Sequence, residues 1–123
     1  YNYRLPNINA ALGCAQMESL KTILNHKREL AFQYENFFTN QSMSFVKETS
    51  ESQANYWLNA VILKDKQERD IFLRATNEAG VMTRPIWRLM TNLEMFKSCQ
   101  TTDLTSSHWL EERVVNIPSG ARL

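Results

Sequence analysis

The sequence predicts an α+β fold: a small, mainly antiparallel sheet with helices packed on one face, led by one long N-terminal helix. Three observations predict it. Apolar side chains recur at helical period through about the first thirty residues. Short apolar runs bounded by polar residues then follow, as strands require. A second helical segment with clear start and stop signals lies between the middle two of those runs.

The first helix is expected from about Pro6 to about Phe38. Pro6 suits a first turn, because its missing N–H would be unpaired there anyway. Ile8, Leu12, Ala15, Leu20, Ile23, Leu24, Ala31, Tyr34, Phe37 and Phe38 recur near helical period, and His26, Lys27, Arg28 and Glu29 form a solvated stretch among them. Gly13 lowers helix propensity by about 1 kcal/mol relative to Ala. With Ala10, Ala11 and Ala15 it makes a small-residue surface that another element can approach closely, and Cys14 beside it reads as buried packing. A helix of about 32 residues is about 48 Å long, whereas a compact domain of this size spans roughly 35 Å. The helix must overhang or break, and its N-terminal end is the expected overhang.

Ser44-Phe45-Val46 reads as a short edge strand, and Lys47 to Asn55 as a polar loop. Tyr56 to Leu63 reads as the main strand. Asn59 is its one polar residue, so both faces should be buried. Asp65 opens the second helix with Glu68 three residues on, as in a capping box. Ile71, Phe72, Ala75 and Ala79 form its apolar face, and Gly80 suits its C-terminal cap. Val81 to Thr83 reads as a strand, and Pro85 pushes Arg84 toward extended geometry. Leu93 to Phe96 reads as a helical turn and Ser98 to Ser107 as a loop. A last helix is capped by Ser106 or Ser107 and runs to about Arg113, followed by a strand from Val114 to Ile117 that Pro118 ends.

The 123 residues make one domain, with 43% hydrophobic and 22% charged residues, ordinary globular values. A net charge of +1 gives no electrostatic case for nucleic acid or an anionic membrane, so neither is an expected partner. No apolar run approaches the roughly 20 residues of a spanning helix. Two cysteines without metal or redox spacing fit a cytoplasmic location. No metal site is expected, since neither His26 nor His108 has a second ligand at a suitable spacing. Glu111 and Glu112 are adjacent on a helix, point about 100° apart, and cannot act as a catalytic pair.

Tyr1-Asn2-Tyr3-Arg4 is a compact cluster of aromatic, amide and guanidinium groups at a helix start, equipment suited to an anionic group. This segment, with Gly80-Val81-Met82-Thr83-Arg84-Pro85-Ile86-Trp87 and Val115-Asn116-Ile117-Pro118-Ser119-Gly120, resembles the sugar aminotransferases of the DegT/DnrJ/EryC1/StrS type. These enzymes use pyridoxal phosphate (PLP) to aminate nucleotide-linked keto-sugars. The three blocks stand in the family's order and span nearly the whole chain. No segment matches the family's Schiff-base lysine, ring-binding aspartate or ring-stacking residue. The resemblance therefore implies the C-terminal small domain of a larger aminotransferase, residues 1–123, with the PLP-lysine domain absent.

That resemblance assigns no catalytic residue to this chain. It implies that Asn2 binds the PLP phosphate of the neighbouring subunit of a homodimer. Arg4 then lies at the same cross-subunit mouth, with Tyr1 beside it. Arg84 and Trp87 wall the cavity for the nucleotide-sugar substrate. The competing expectations are a surface turn for Asn2 and Arg4, packing for Tyr1, an ion pair with Glu78 for Arg84, and burial for Trp87. The implied reaction moves an amino group, from glutamate, onto a nucleotide-linked 4-keto-sugar in surface-polysaccharide or amino-sugar biosynthesis. PLP belongs to the full-length parent, and the isolated chain is expected to be inactive. Two other readings remain: a stand-alone α+β interaction module, and a sugar dehydratase of the same cofactor fold.

Overall fold

The computed structural model describes residues 4–121. In chain order the elements are α1 (Asn7–Phe38), β1 (Ser44–Phe45), β2 (Asn59–Ile62), α2 (Lys66–Glu78), β3 (Arg84–Pro85), two 3₁₀ turns (Met90–Asn92 and Glu94–Phe96), α3 (Thr105–Glu111) and β4 (Val114–Ile117). The four strands lie in the order β1-β2-β4-β3, each neighbouring pair antiparallel.

Register decides which side chains meet. Phe45 stands opposite Val61, Val61 opposite Val115, and Asn59 opposite Ile117, so these residues share one face. Ala31, Tyr34 and Phe38 of α1 and Phe72 and Leu73 of α2 pack on that same face. Phe38 stacks on Phe45 at 6.4 Å and 4°, and Phe45 on Tyr56 at 6.4 Å and 18°. Both long helices thus cover one side of the sheet, as expected. By the same register Ala60, Asn116 and Arg84 share the other side.

The N-terminal half of α1 projects from this core. Leu5, Ile8, Leu12 and Met17 are between 62% and 71% exposed, and Ala31 is the helix's buried residue. Cys14 is exposed rather than buried, because its turn of the helix has no neighbour among the described residues. A Cβ at Gly13 would likewise meet nothing within 4 Å.

Local signals fix α2 at both ends. Asp65 Oδ1 accepts the Glu68 N–H at 2.8 Å, and Glu68 Oε2 reaches back to the Lys64 N–H at 2.7 Å. Gly80 closes the helix at φ 79°, with its N–H on Asn77 O and the Val81 N–H on Thr76 O.

Three boundaries differ from expectation. The main strand begins at Asn59 and not Tyr56, because Tyr56 takes φ 46° and breaks the extended run. Val81 to Thr83 is spent on closing α2: Thr83 is buried, and its hydroxyl meets the Thr76 hydroxyl at 2.6 Å and the Asn77 amide at 3.0 Å. Pairing with β4 therefore starts at Arg84. The last helix starts at Thr105, whose N–H and hydroxyl both bond Asp103 Oδ1, and ends at Glu111. These two bonds, the hydroxyl first, hold the Asp103 carboxyl below its ordinary pKa.

Candidate functional site

An open cleft of about 510 Å³ lies where β3, the end of β4 and the turn before β2 converge. Its aromatic wall is Trp57 and Trp87, stacked at 6.4 Å with 29° between planes and 67% and 66% exposed. Trp87 is therefore not buried. Its exposure follows from the β3 register: Ile86 N–H still reaches Val114 O, and the chain leaves the sheet edge immediately afterwards.

Trp57 reaches the cleft through a shaped turn. Asn55 Oδ1 accepts the Trp57 N–H at 2.9 Å, and Tyr56 sits in the left-handed region. That conformation costs a non-glycine residue about 1–3 kcal/mol. It sends the Tyr56 ring toward the core and leaves Trp57 outside. Lys27 of α1 ties the turn down, donating to Ser119 O at 2.7 Å and more weakly to Trp57 O at 3.4 Å. Ser119 completes the frame. Its hydroxyl donates to Ile117 O and accepts the Asn59 N–H.

Arg84 lines the same cleft, exposed, on the sheet face away from the helices. Among the described residues it forms no ion pair; its Nη2 contacts Met82 Sδ at 3.6 Å. The expected Glu78 partnership is thus absent. Among the described residues the lining holds two cations, Lys27 and Arg84, and no carboxylate. Glu111 is engaged elsewhere, accepting the Leu89 N–H and the Asn92 amide to pin the loop after Trp87.

The structure brings Arg84 and Trp87 together and sets Arg4 apart. Arg4 is exposed ahead of α1. From Asn7 to Lys27 a straight helix advances roughly 30 Å. Asn2 and Tyr1 lie outside the described residues. Sequence reasoning missed Trp57 and the positioning pair Lys27 and Ser119. The one local signal was Asn55, a residue type that favours such turns.

This arrangement of a long protruding helix on a four-stranded antiparallel sheet is shared with solved sugar aminotransferases. CalS13 from Micromonospora echinospora matches 100% of the chain with a TM-score of 0.87 at 24% identity, over 32% of its own length. Helicobacter pylori PseC, an aminotransferase involved in the biosynthesis of pseudoaminic acid, matches 100% of the chain with a TM-score of 0.88 at 17% identity, over 34% of its length. The fold is therefore that of part of a sugar aminotransferase.

The chain belongs to the DegT/DnrJ/EryC1/StrS aminotransferase family, whose model matches residues 1–123. It is 30% identical over 122 residues to a GDP-perosamine synthase of Vibrio cholerae and 28% identical over 123 residues to one of Escherichia coli O157:H7. It covers 33% and 32% of those proteins, so it spans about a third of the relatives it matches.

The family uses PLP, which requires an amine for its Schiff base and a partner for its ring nitrogen. The described residues do not compose such a cradle. Lys27, the lysine of the cleft, is committed to two carbonyls, and no acid faces it there. Lys21, Lys47, Lys64, Lys66 and Lys97 are exposed. No helix among the described residues is long and apolar enough to cross a membrane.

Proposed function

We propose that the chain is the C-terminal domain of a PLP-dependent transaminase that aminates a nucleotide-linked 4-keto-sugar, with glutamate as donor, in surface-polysaccharide or amino-sugar biosynthesis. The observation that carries this reading is the cleft. Its exposed indoles suit a planar or sugar ring. Its Arg84 guanidinium, in no ion pair among the described residues, suits phosphate oxygens, and no carboxylate among the described lining residues opposes a dianionic substrate. Arg84 and Trp87 act as substrate-binding residues. The Schiff-base lysine and ring-binding acid belong to a further, N-terminal domain. PLP supplies the electron sink; this chain supplies binding and orientation.

The N-terminal cluster has a separate task. Arg4 stands too far along α1 to serve the cleft of its own chain. In a homodimer α1 carries Asn2, Arg4 and Tyr1 into the neighbouring subunit's site, where Asn2 binds the PLP phosphate. The exposed apolar stripe of Ile8, Leu12 and Met17 is what such packing would cover.

The test is amination by the intact protein, supplied with PLP, glutamate and a GDP-linked 4-keto-sugar, with 2-oxoglutarate and the amino-sugar as products. Residues 1–123 alone are expected to give no turnover and no borohydride-trapped PLP adduct. A stoichiometric adduct at any of the six lysines would overturn the domain assignment. Intact protein that aminates no nucleotide-linked keto-sugar would overturn the function.

A further inference from the structure

We propose that Glu111 is a positioning residue for the cleft: its carboxylate latches the segment that begins at Trp87 and so sets that indole in the cleft wall. The inference rests on the substrate-binding role proposed above for the cleft and adds a residue outside its lining.

The segment from Trp87 to Leu104 carries two 3₁₀ turns and neither a strand nor an α-helix. Its last tie to the sheet is the Ile86 N–H on Val114 O. Among the described residues, every hydrogen bond that leaves the stretch from Trp87 to Thr102 ends on the Glu111 carboxylate. Oε1 accepts the Leu89 N–H at 2.8 Å, and Oε2 accepts the Asn92 amide at 3.1 Å. The backbone bonds from Asn92 to Leu89, Leu93 to Met90 and Phe96 to Leu93 stay inside the segment. Trp87 and Arg88 therefore bridge two fixed points, Ile86 on β4 and Leu89 on Glu111.

Glu111 is a firm anchor. It is the last residue of α3, and its side chain is 18% exposed. Its own carbonyl oxygen accepts the Arg69 guanidinium at 2.8 Å, which ties α3 to α2. His108 Nδ1 stands 3.9 Å from Oε2, beyond hydrogen-bond reach, and leaves the carboxylate to the loop. Bonds to an ionised acceptor are roughly twice as strong as neutral ones.

Leu89, Leu93 and Phe96 are half-buried, but apolar contact is non-directional. It keeps the segment on the body without setting the angle of Trp87. That angle defines the wall, because Trp87 meets Trp57 at 6.4 Å with 29° between planes while remaining largely exposed.

The experiment uses the intact protein and reads the indole pair directly. Two indoles this close couple their electronic transitions and give a paired circular-dichroism band, assigned by its loss in Trp57→Phe. Glu111→Ala should abolish that band in folded protein. A merely structural role would lower the melting temperature and leave the band of the folded protein intact. KM for a GDP-linked 4-keto-sugar should rise about tenfold, with kcat changing less, since losing a bond to a charged group lowers the binding-competent fraction by about that factor. Glu111→Gln keeps an acceptor for the Leu89 N–H and should retain the band and most of the affinity. Asn92→Ala, at an exposed position, removes one of the two bonds without threatening the fold and should weaken the band. An unchanged band and KM in folded Glu111→Ala protein overturns this inference and leaves the proposed function standing. Should Glu111→Ala fail to fold, an unchanged band in Asn92→Ala overturns it instead. A wild-type spectrum that Trp57→Phe does not alter overturns the pairing that the latch is said to hold. Intact protein that aminates no keto-sugar overturns the proposed function, and the band still decides the latch.

Discussion

Replacing Asn59 by Val is expected to stabilise the domain, against the usual sign for a change in a core strand. Asn59 is 1% exposed on the core face of β2, directly opposite Ile117. Neither its Oδ1 nor its Nδ2 has a hydrogen-bond partner. Burying an unpaired polar group costs about 1–3 kcal/mol. Val removes both groups, is close to Asn in size, and suits a strand sterically. The Asn59 backbone bond to the Ser119 hydroxyl survives the change. The expected gain is about 1–3 kcal/mol, or a rise in melting temperature of roughly 4 °C per kcal/mol for a domain of this size. Calorimetry and urea titration should agree on the sign. A loss of 1 kcal/mol or more would refute the reasoning, since it would mean that the amide has a partner worth keeping, such as an ordered water.

Gly80→Ala should destabilise by about 1–2 kcal/mol in urea titration, because φ 79° strains any L side chain. A Cβ there meets nothing within 4 Å, so a larger loss would point to something other than the backbone. Thr105→Val removes the main cause of the lowered Asp103 pKa, so NMR titration should find that carboxyl closer to the ordinary value of about 3.9. A pKa lowered by folding gives stability that is present above the unfolded value and lost as pH falls through the folded one. Wild type should therefore lose more stability than Thr105→Val as pH falls below about 3.9.

The parts of the fold legible in sequence are those set by neighbours in the chain. Helical period marked α1, the Asp65–Glu68 pair and Gly80 bracketed α2, and Pro118 ended β4. The strand errors arose where a long-range demand overrode local pattern. Val81 to Thr83 looks β-like, but the Thr76–Thr83 hydroxyl contact and the Val81 bond to Thr76 hold it to α2. Tyr56 and Trp57 read as one apolar run, yet one ring faces the core and the other faces water. The cleft was half legible. Arg84 and Trp87 stand in one recognisable block, whereas Trp57 arrives from a turn, and Lys27 reaches Ser119 across 92 residues. No periodicity encodes such a meeting.

Separation along α1 gives the sharpest test of a shared site. Arg4 and Arg84 are both on this chain, yet roughly 30 Å of helix lies between the Arg4 end and the cleft. If one active site uses both residues, they must come from different subunits. Arg4→Ala and Arg84→Ala proteins, each impaired alone, are then unfolded or dissociated together and reassembled. In a symmetric dimer, half of the random assemblies are hybrids. Each hybrid holds one site with both defects and one with neither. Activity should recover to about a quarter of wild type if each single variant is inactive. If both residues instead served one site within a subunit, every site in every hybrid would carry one defect. No recovery above the single variants would then appear, and the crossed arrangement would be wrong.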